Sequence, residues 1–324
     1  MKKLVFSNGD AIPMCGLGTW KSEPGEVYQA VLWAIEAGYR HIDCAPLYLN
    51  EKEVGQALTK AFSDGLVKRE EIFITSKLWN DRHRLSDVKD GLEQTLQDLQ
   101  LAYLDLYLVH WPISVKLGIG IAKTREEFYS YEEVPLAETW QGMQQVQSAG
   151  LARHIGVSNF NIAKLEELFA VGGQGPEMNQ VELHPYLRQD KLVKHCHAKG
   201  MHMTAYSPLG SGDRPALFHK EQEPSLFEDP LVKELSEKYA VSPAQILIAF
   251  HINRNIAVVP KSVNRDRIAQ NLQAAELQLE PADMDQLLSM PKQYRFIDGT
   301  FFTGPESPYG LDDLWEGTVG MEHV

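Results

Sequence analysis

Residues 38–63 read GYRHIDCAPLYLNEKEVGQALTKAFS, and the order of their two halves decides the architecture. Residues 41–45 are a short apolar run that holds one carboxylate, Asp43, and residues 51–63 follow with an amphipathic helical pattern. The same unit recurs along the chain. Strands are expected at 15–19, 41–45, 72–78, 104–111, 154–159, 178–182, 202–207 and 256–261. Helices are expected at 25–37, 51–63, 85–99, 137–149, 162–171, 189–199, 230–239 and 265–274. The strand segments are near-continuous apolar runs, the pattern of strands covered on both faces. Eight strand–helix alternations point to an α/β fold of one closed parallel (β/α)8 TIM barrel, with an open doubly wound sheet as the alternative. Residues 1–18 read as an N-terminal hairpin: Leu4 and Phe6 lead into Asn8-Gly9, a hairpin-turn dipeptide, and apolar residues resume at Ile12. No linker, repeat or low-complexity tract divides the chain, so 1–324 is expected to be a single domain.

Three segments break the alternation. Residues 112–135 and 208–229 each follow a strand and are rich in Gly, Pro and charge. The tail from about 290 to 324 carries Phe301, Phe302, Tyr309 and Trp315 without helical period. Long loops in a compact domain are usually functional, and in a barrel the loops after strands form the catalytic face.

Composition narrows the possible partners. The net charge of −13 repels nucleic acid and anionic membranes. The three cysteines, Cys15, Cys44 and Cys196, are an odd number without a C-x-x-C pair, which favours free thiols and the cytosol. The opening Met-Lys-Lys precedes too short an apolar stretch for a signal peptide, and no run is long enough to span a membrane. On so acidic a chain, the basic cluster from Lys261 to Arg267 is the natural seat for an anionic ligand.

Polar residues on the strands carry the chemical signal. Asp43, Lys77 and His110 lie on three successive strands, 34 and 33 residues apart, about one βα unit each. Equal phase brings them to one end of the barrel, where Tyr48 follows Asp43 in the loop. Any one of them alone would pass for a buried ion pair or a structural histidine. Trp20, Trp79 and Trp111 follow strand ends and are expected to wall a largely apolar pocket.

These residues also carry a family resemblance. Gly38-Tyr39-Arg40-His41-Ile42-Asp43-Cys44-Ala45, with Tyr48, Glu51 and Gly55, resembles the first signature of the aldo-keto reductase family. Ile155-Gly156-Val157-Ser158-Asn159-Phe160 resembles the second, and Val258-Val259-Pro260-Lys261-Ser262 the third. His184-Pro185-Tyr186 and the run Ala205 to Gly210 are similar to the aldehyde and aldose reductase branch. The resemblance covers about residues 4–290 and implies a monomeric NADPH-dependent reductase of aldehydes and some ketones. It implies Tyr48 as the proton donor, Lys77 as the ammonium that lowers its pKa, and Asp43 as the group that keeps Lys77 charged. His110 would orient the carbonyl. Ser158, Asn159 and Gln180 would hold the nicotinamide carboxamide, and Tyr206 would stack on its ring. Lys261, Ser262 and Arg267, assisted by Asn264 and Asn271, would bind the 2′-phosphate of NADPH. Thr19, Trp20, Asp43, Ser207, Leu209, Ser211, Val263 and Gln270 complete the implied cofactor contacts. Gln270 stands where the family commonly has glutamate. Substrate contacts fall to Trp20, Tyr48, Trp79, His110 and Trp111.

Competing readings are a sugar reductase, a barrel that binds NADPH without catalysis, and a Rossmann dehydrogenase. The last lacks its G-x-G-x-x-G fingerprint. Tyr48-x-x-x-Lys52 mimics a short-chain dehydrogenase pair, but no glycine-rich turn precedes it. His195-Cys196-His197 cannot share a helix face, so no metal is expected.

Overall fold

The computed structural model describes residues 2–214, 219–220 and 222–315. Parts of the loop 208–229 and of the tail, namely 215–218, 221 and 316–324, lie outside the described residues. Eight parallel strands run in chain order: β1 (Leu17–Gly18), β2 (His41–Asp43), β3 (Phe73–Leu78), β4 (Leu104–Val109), β5 (Ala152–Ser158), β6 (Met178–Glu182), β7 (His202–Tyr206) and β8 (Ala257–Val258). Each pairs with the next, and parallel bridges Cys15–Val258 and Gly18–Lys261 join the last to the first. The sheet therefore closes into a (β/α)8 barrel. Closure depends on glycine at the seam, because a Cβ on Gly18 would lie 2.6 Å from the Val259 carbonyl oxygen.

The register aligns the chemistry. Gly18 pairs with Asp43, Asp43 with Thr75, Lys77 with Leu108, and Ser158 with Gln180. Period-two alternation then sends Lys77 inward and its neighbour Ser76 outward to the helix layer. That layer is built from amphipathic helices such as Glu51–Ser63, whose buried stripe is Val54, Ala57, Leu58 and Ala61. Gly55 lies on the same stripe, and a Cβ there would sit 2.4 Å from the Asp98 carbonyl oxygen of the neighbouring helix Leu85–Leu99.

The N-terminal hairpin pairs Lys3–Val5 with Ala11–Pro13 and plugs the bottom of the barrel. Its loop has three residues rather than the two suggested by Asn8-Gly9. The Phe6 N–H bonds the Asp10 carbonyl, and Gly9 takes the left-handed position at φ +91°. The plug is fastened by His154 on β5. Its Nδ1 lies 3.0 Å from Glu177, its Nε2 lies 3.2 Å from Asp10 of the hairpin, and Phe6 stacks on its ring at 3.8 Å. Burial pulls the imidazole pKa down, but Glu177 and Asp10 more than offset this and hold it above its ordinary value. A raised histidine contributes its full stability below pH about 6.5 and loses it as pH rises through the folded value. His154→Gln is expected to cost about 1–3 kcal/mol at pH 6 and clearly less at pH 9. Urea unfolding at both pH values checks this, and an equal cost at both would remove the charged histidine from the account.

Among the described residues, two helices of eight residues or more carry no signal in the sequence. Pro243–Asn253 buries every residue from Ile246 to Ile252, so it has no polar stripe to reveal its period. Pro281–Leu288 is the second. The segment 112–135 is also more ordered than a bare loop. It holds a small hairpin of Ser114–Val115 against Phe128–Tyr129, onto which the tail packs. Tyr309 accepts a bond from the Ser114 N–H at 3.0 Å and donates to the Tyr129 carbonyl at 2.5 Å.

Candidate active site

A cleft of about 800 Å³ opens at the C-terminal end of the strands. Among its lining residues are Tyr48, His110, Tyr206 and Arg267. At its floor the Lys77 ammonium, fully buried, donates to Asp43 at 2.7 Å, to the Cys44 carbonyl at 2.9 Å and to the Tyr48 hydroxyl at 3.2 Å. All three donor hydrogens are thus used. The second Asp43 oxygen accepts from Gln180 at 2.7 Å, and the Asp43 carbonyl accepts from Thr19 at 2.8 Å. Three strands, β2, β3 and β6, therefore converge on one ion pair, and the residue after β1 braces its backbone. Burial alone would strip Lys77 of its proton, but Asp43 and then Tyr48 raise its pKa above the ordinary lysine value. The ammonium is permanent.

Lys77 acts on the Tyr48 phenol in the expected direction, downward, but it does not set the final pKa. Burial is the larger effect and pushes Tyr48 up to about 12, while Lys77 pulls it part of the way back. The Tyr48 phenol is therefore protonated across the physiological range, with the Lys77 ammonium 3.2 Å from its oxygen. His110 is held well below its ordinary pKa, first by burial and then by Lys77, so its imidazole is neutral. Its ring meets Tyr48 edge-on at 6.0 Å and Trp79 at 5.2 Å.

Other polar groups interlock along the cleft. Ser158 donates to the Gln180 carbonyl at 2.7 Å, Asn159 to the His110 carbonyl at 3.0 Å, and Tyr206 to Asn159 Oδ1 at 2.7 Å. Of the residues singled out in the sequence, Thr19, Trp20, Asp43, Tyr48, His110, Trp111, Ser158, Asn159, Gln180, Tyr206, Ser207, Leu209, Ser211, Lys261 and Arg267 line this one cleft. Lys77 stands directly behind Tyr48. Ser262, Val263, Asn264, Gln270, Asn271 and Trp79 are outside the lining. Ser262 accepts from the Asn264 N–H at 3.1 Å. Asn264 caps the helix Arg265–Gln273 by accepting from the Arg267 N–H at 3.0 Å, which fixes where Arg267 begins its reach. Asn271 is buried beneath Cys15, and Gln270 faces a separate shallow groove with Ser242 and Gln245. Trp79 packs behind His110 and donates to the Gly120 carbonyl at 3.1 Å.

Sequence reasoning missed Lys21 and Asp213. Asp213 pairs with Lys21 from the loop after β1 and lies 3.5 Å from Lys261 after β8. The Lys21 ammonium also donates to Ser211 at 2.8 Å. The three charges form a strap in the wall of the cleft, joining loops 192 residues apart. The outer wall was equally hidden. Glu182, at the end of β6 and fully buried, accepts the N–H groups of Phe296 and Ile297 at 2.7 and 2.8 Å. That carboxylate pins the tail, and Phe296, Ile297 and Phe301 face the cleft. Trp315 is buried against Trp111 and outside the lining. Among the described residues no group of three or more His, Cys, Asp or Glu is arranged to hold a metal ion, and no helix is long and apolar enough to cross a membrane.

Residues 14–290 match the model of the aldo/keto reductase family. The chain is 46% identical over 316 residues to the aldo/keto reductase slr0942 of Synechocystis sp., covering 98% of this chain and 97% of that one. It is 45% identical over 296 residues to the aldo-keto reductase family 1 member A1 of Mus musculus and 44% identical to that of Homo sapiens, each over 91% of this chain and 90% of the relative. Fold, charge centre and sequence agree, and the chain belongs to the aldo/keto reductase family, oxidoreductases of carbonyl compounds.

Proposed function

We propose that the chain reduces aldehydes, and some ketones, to alcohols, with NADPH as the hydride source and Tyr48 as the proton donor. The observation that carries this reading is the buried Asp43–Lys77–Tyr48 contact chain, which opens onto a cleft beside a neutral His110. NADPH, when bound, supplies the hydride. The chain's residues fit that group: Tyr206 offers a ring face within the cleft, and Lys21, Lys261 and Arg267 supply positive charge on a protein of net charge −13. Arginine suits a phosphate because its planar fork can make two parallel hydrogen bonds.

Tyr48 gives its proton to the carbonyl oxygen as negative charge develops there. Lys77 stabilises the phenolate left behind, and Asp43 keeps Lys77 in place and charged. A neutral His110 can donate one hydrogen bond to the same oxygen without competing for the proton. Trp20, Trp111 and Phe301 give the carbonyl's substituent an apolar wall, which favours aryl and alkyl aldehydes. All three cysteines are buried and free, as suits a reducing compartment.

The test is NADPH oxidation with an activated aromatic aldehyde, comparing wild type with Arg267→Ala. Wild type is expected to turn over. Losing the charged contact is expected to weaken NADPH about 10–100-fold and leave NADH nearly unchanged. No turnover across aromatic, alkyl and sugar aldehydes would sink the catalytic reading. An unaltered NADPH-to-NADH ratio would sink the phosphate assignment alone.

A further inference from the structure

Glu51 stands in the first signature motif, three residues after Tyr48, yet nothing in the proposed chemistry uses it. It is the first residue of the helix Glu51–Ser63 and is only 4% exposed. Its carboxylate reaches through the helix layer to the back of β3, where Ser76 donates to it at 2.5 Å. Thr95, on the helix Leu85–Leu99, donates to its other oxygen at 3.3 Å. Among the described residues no cation pairs with it. The titratable groups around it are Lys77 on β3, Tyr107 on β4, Cys44 just after β2 and Asp98 on the neighbouring helix. Burial pushes the carboxyl up to about 7. A buried acid without a counter-ion is a poor device for stability alone.

Its place in the chain suggests what it does instead. Tyr48 ends the short turn Pro46–Tyr48, and Leu49 then takes a left-handed conformation at φ +56° before Asn50 and Glu51. Asn50 ties this segment to the Thr19 carbonyl at 2.9 Å, on the β1 side. Glu51 ties it to Ser76, whose neighbour in β3 is Lys77. The two arms fix the Tyr48 segment relative to the strand that carries the ammonium.

We infer that Glu51 is a positioning residue for proton transfer, holding the Tyr48 turn against β3 so that the Tyr48 hydroxyl meets the Lys77 ammonium. This rests on the reading of Tyr48 as proton donor. Loss of the tie lets the turn drift. Lys77 then stabilises the phenolate less, and Tyr48 becomes harder to deprotonate.

The experiment uses Glu51→Ala, Glu51→Gln and Ser76→Ala, with both directions of the reaction measured. In Glu51→Ala and Ser76→Ala, kcat for aldehyde reduction is expected to fall about 10–100-fold, with NADPH affinity within twofold of wild type. In alcohol oxidation with NADP+, where Tyr48 must accept the proton, the pH of half-maximal rate is expected to move upward. Glu51→Gln keeps an oxygen for Ser76 and is expected to recover most of the rate and the wild-type pH profile. If Glu51→Ala and Ser76→Ala keep the wild-type pH profile, the inference is overturned, even where thermal stability has dropped. Should Glu51→Ala fail to fold, Ser76→Ala carries the same test from the strand side. A wild type that reduces aldehydes and a Tyr48→Phe variant that does not, beside an unaffected Ser76→Ala, would reject the positioning role and keep the reaction.

Discussion

Tyr48→Phe is expected to lower kcat for aldehyde reduction by about 10²–10⁴-fold, the usual worth of a positioned general acid, while leaving NADPH binding intact. The substitution deletes one oxygen and keeps the ring that meets His110 edge-on at 6.0 Å and Trp20 at 6.4 Å. Lys77 loses its 3.2 Å contact but keeps Asp43 and the Cys44 carbonyl, so the ion pair stands. The loss therefore falls on chemistry and not on folding. Stopped-flow reduction at saturating NADPH, with a fluorescence titration of the cofactor, separates the two. A Tyr48→Phe enzyme that keeps most of its rate would mean that the proton comes from elsewhere, water or His110, and that the raised phenol at Tyr48 is a structural by-product.

Lys77→Met is the second large expected effect, and it strikes both stability and rate. Asp43 is 3% exposed, and without Lys77 its remaining side-chain partner is the Gln180 amide. Leaving a buried carboxylate without its cation costs about 3–5 kcal/mol, a large share of the roughly 5–15 kcal/mol that typically separates folded from unfolded chains. The urea midpoint should fall accordingly. The double variant Asp43→Asn with Lys77→Met removes both charges and should regain most of that stability. It should not regain activity, because the cation beside Tyr48 is still missing. Recovery of rate in the double variant would show that Lys77 serves folding alone.

The parts of this molecule that were readable in the sequence share a physical cause. Strands covered on both faces are apolar throughout, so a carboxylate, an ammonium or an imidazole at their ends stands out, as Asp43, Lys77 and His110 do. Helices with one wet face announce their period, as Glu51–Ser63 does. The helix Pro243–Asn253 is wrapped in protein on every side and looks like any apolar run. The strap of Lys21, Asp213 and Lys261 was hidden for the opposite reason. Its members are ordinary charges, and only the closed barrel brings loops so distant in sequence together. The direction of the Tyr48 shift was also out of reach, because the sequence names the neighbouring cation but not the depth of burial that outweighs it.

The tail wall bears on how such a protein can diverge. The buried charges and the hydroxyl to which the proposed reaction is assigned come from strand ends and the turn beside them, locked by mutual contacts among Asp43, Lys77, Tyr48 and Gln180. The surface against which a substrate's bulk would rest comes largely from a late stretch of chain, Phe296 to Phe301, secured to the barrel through the Glu182 carboxylate. Because Glu182 grips backbone N–H groups, side chains in that stretch can be exchanged without loosening the grip. A lineage can thus acquire new substrates by drift in a few tail positions while its reaction is inherited unchanged.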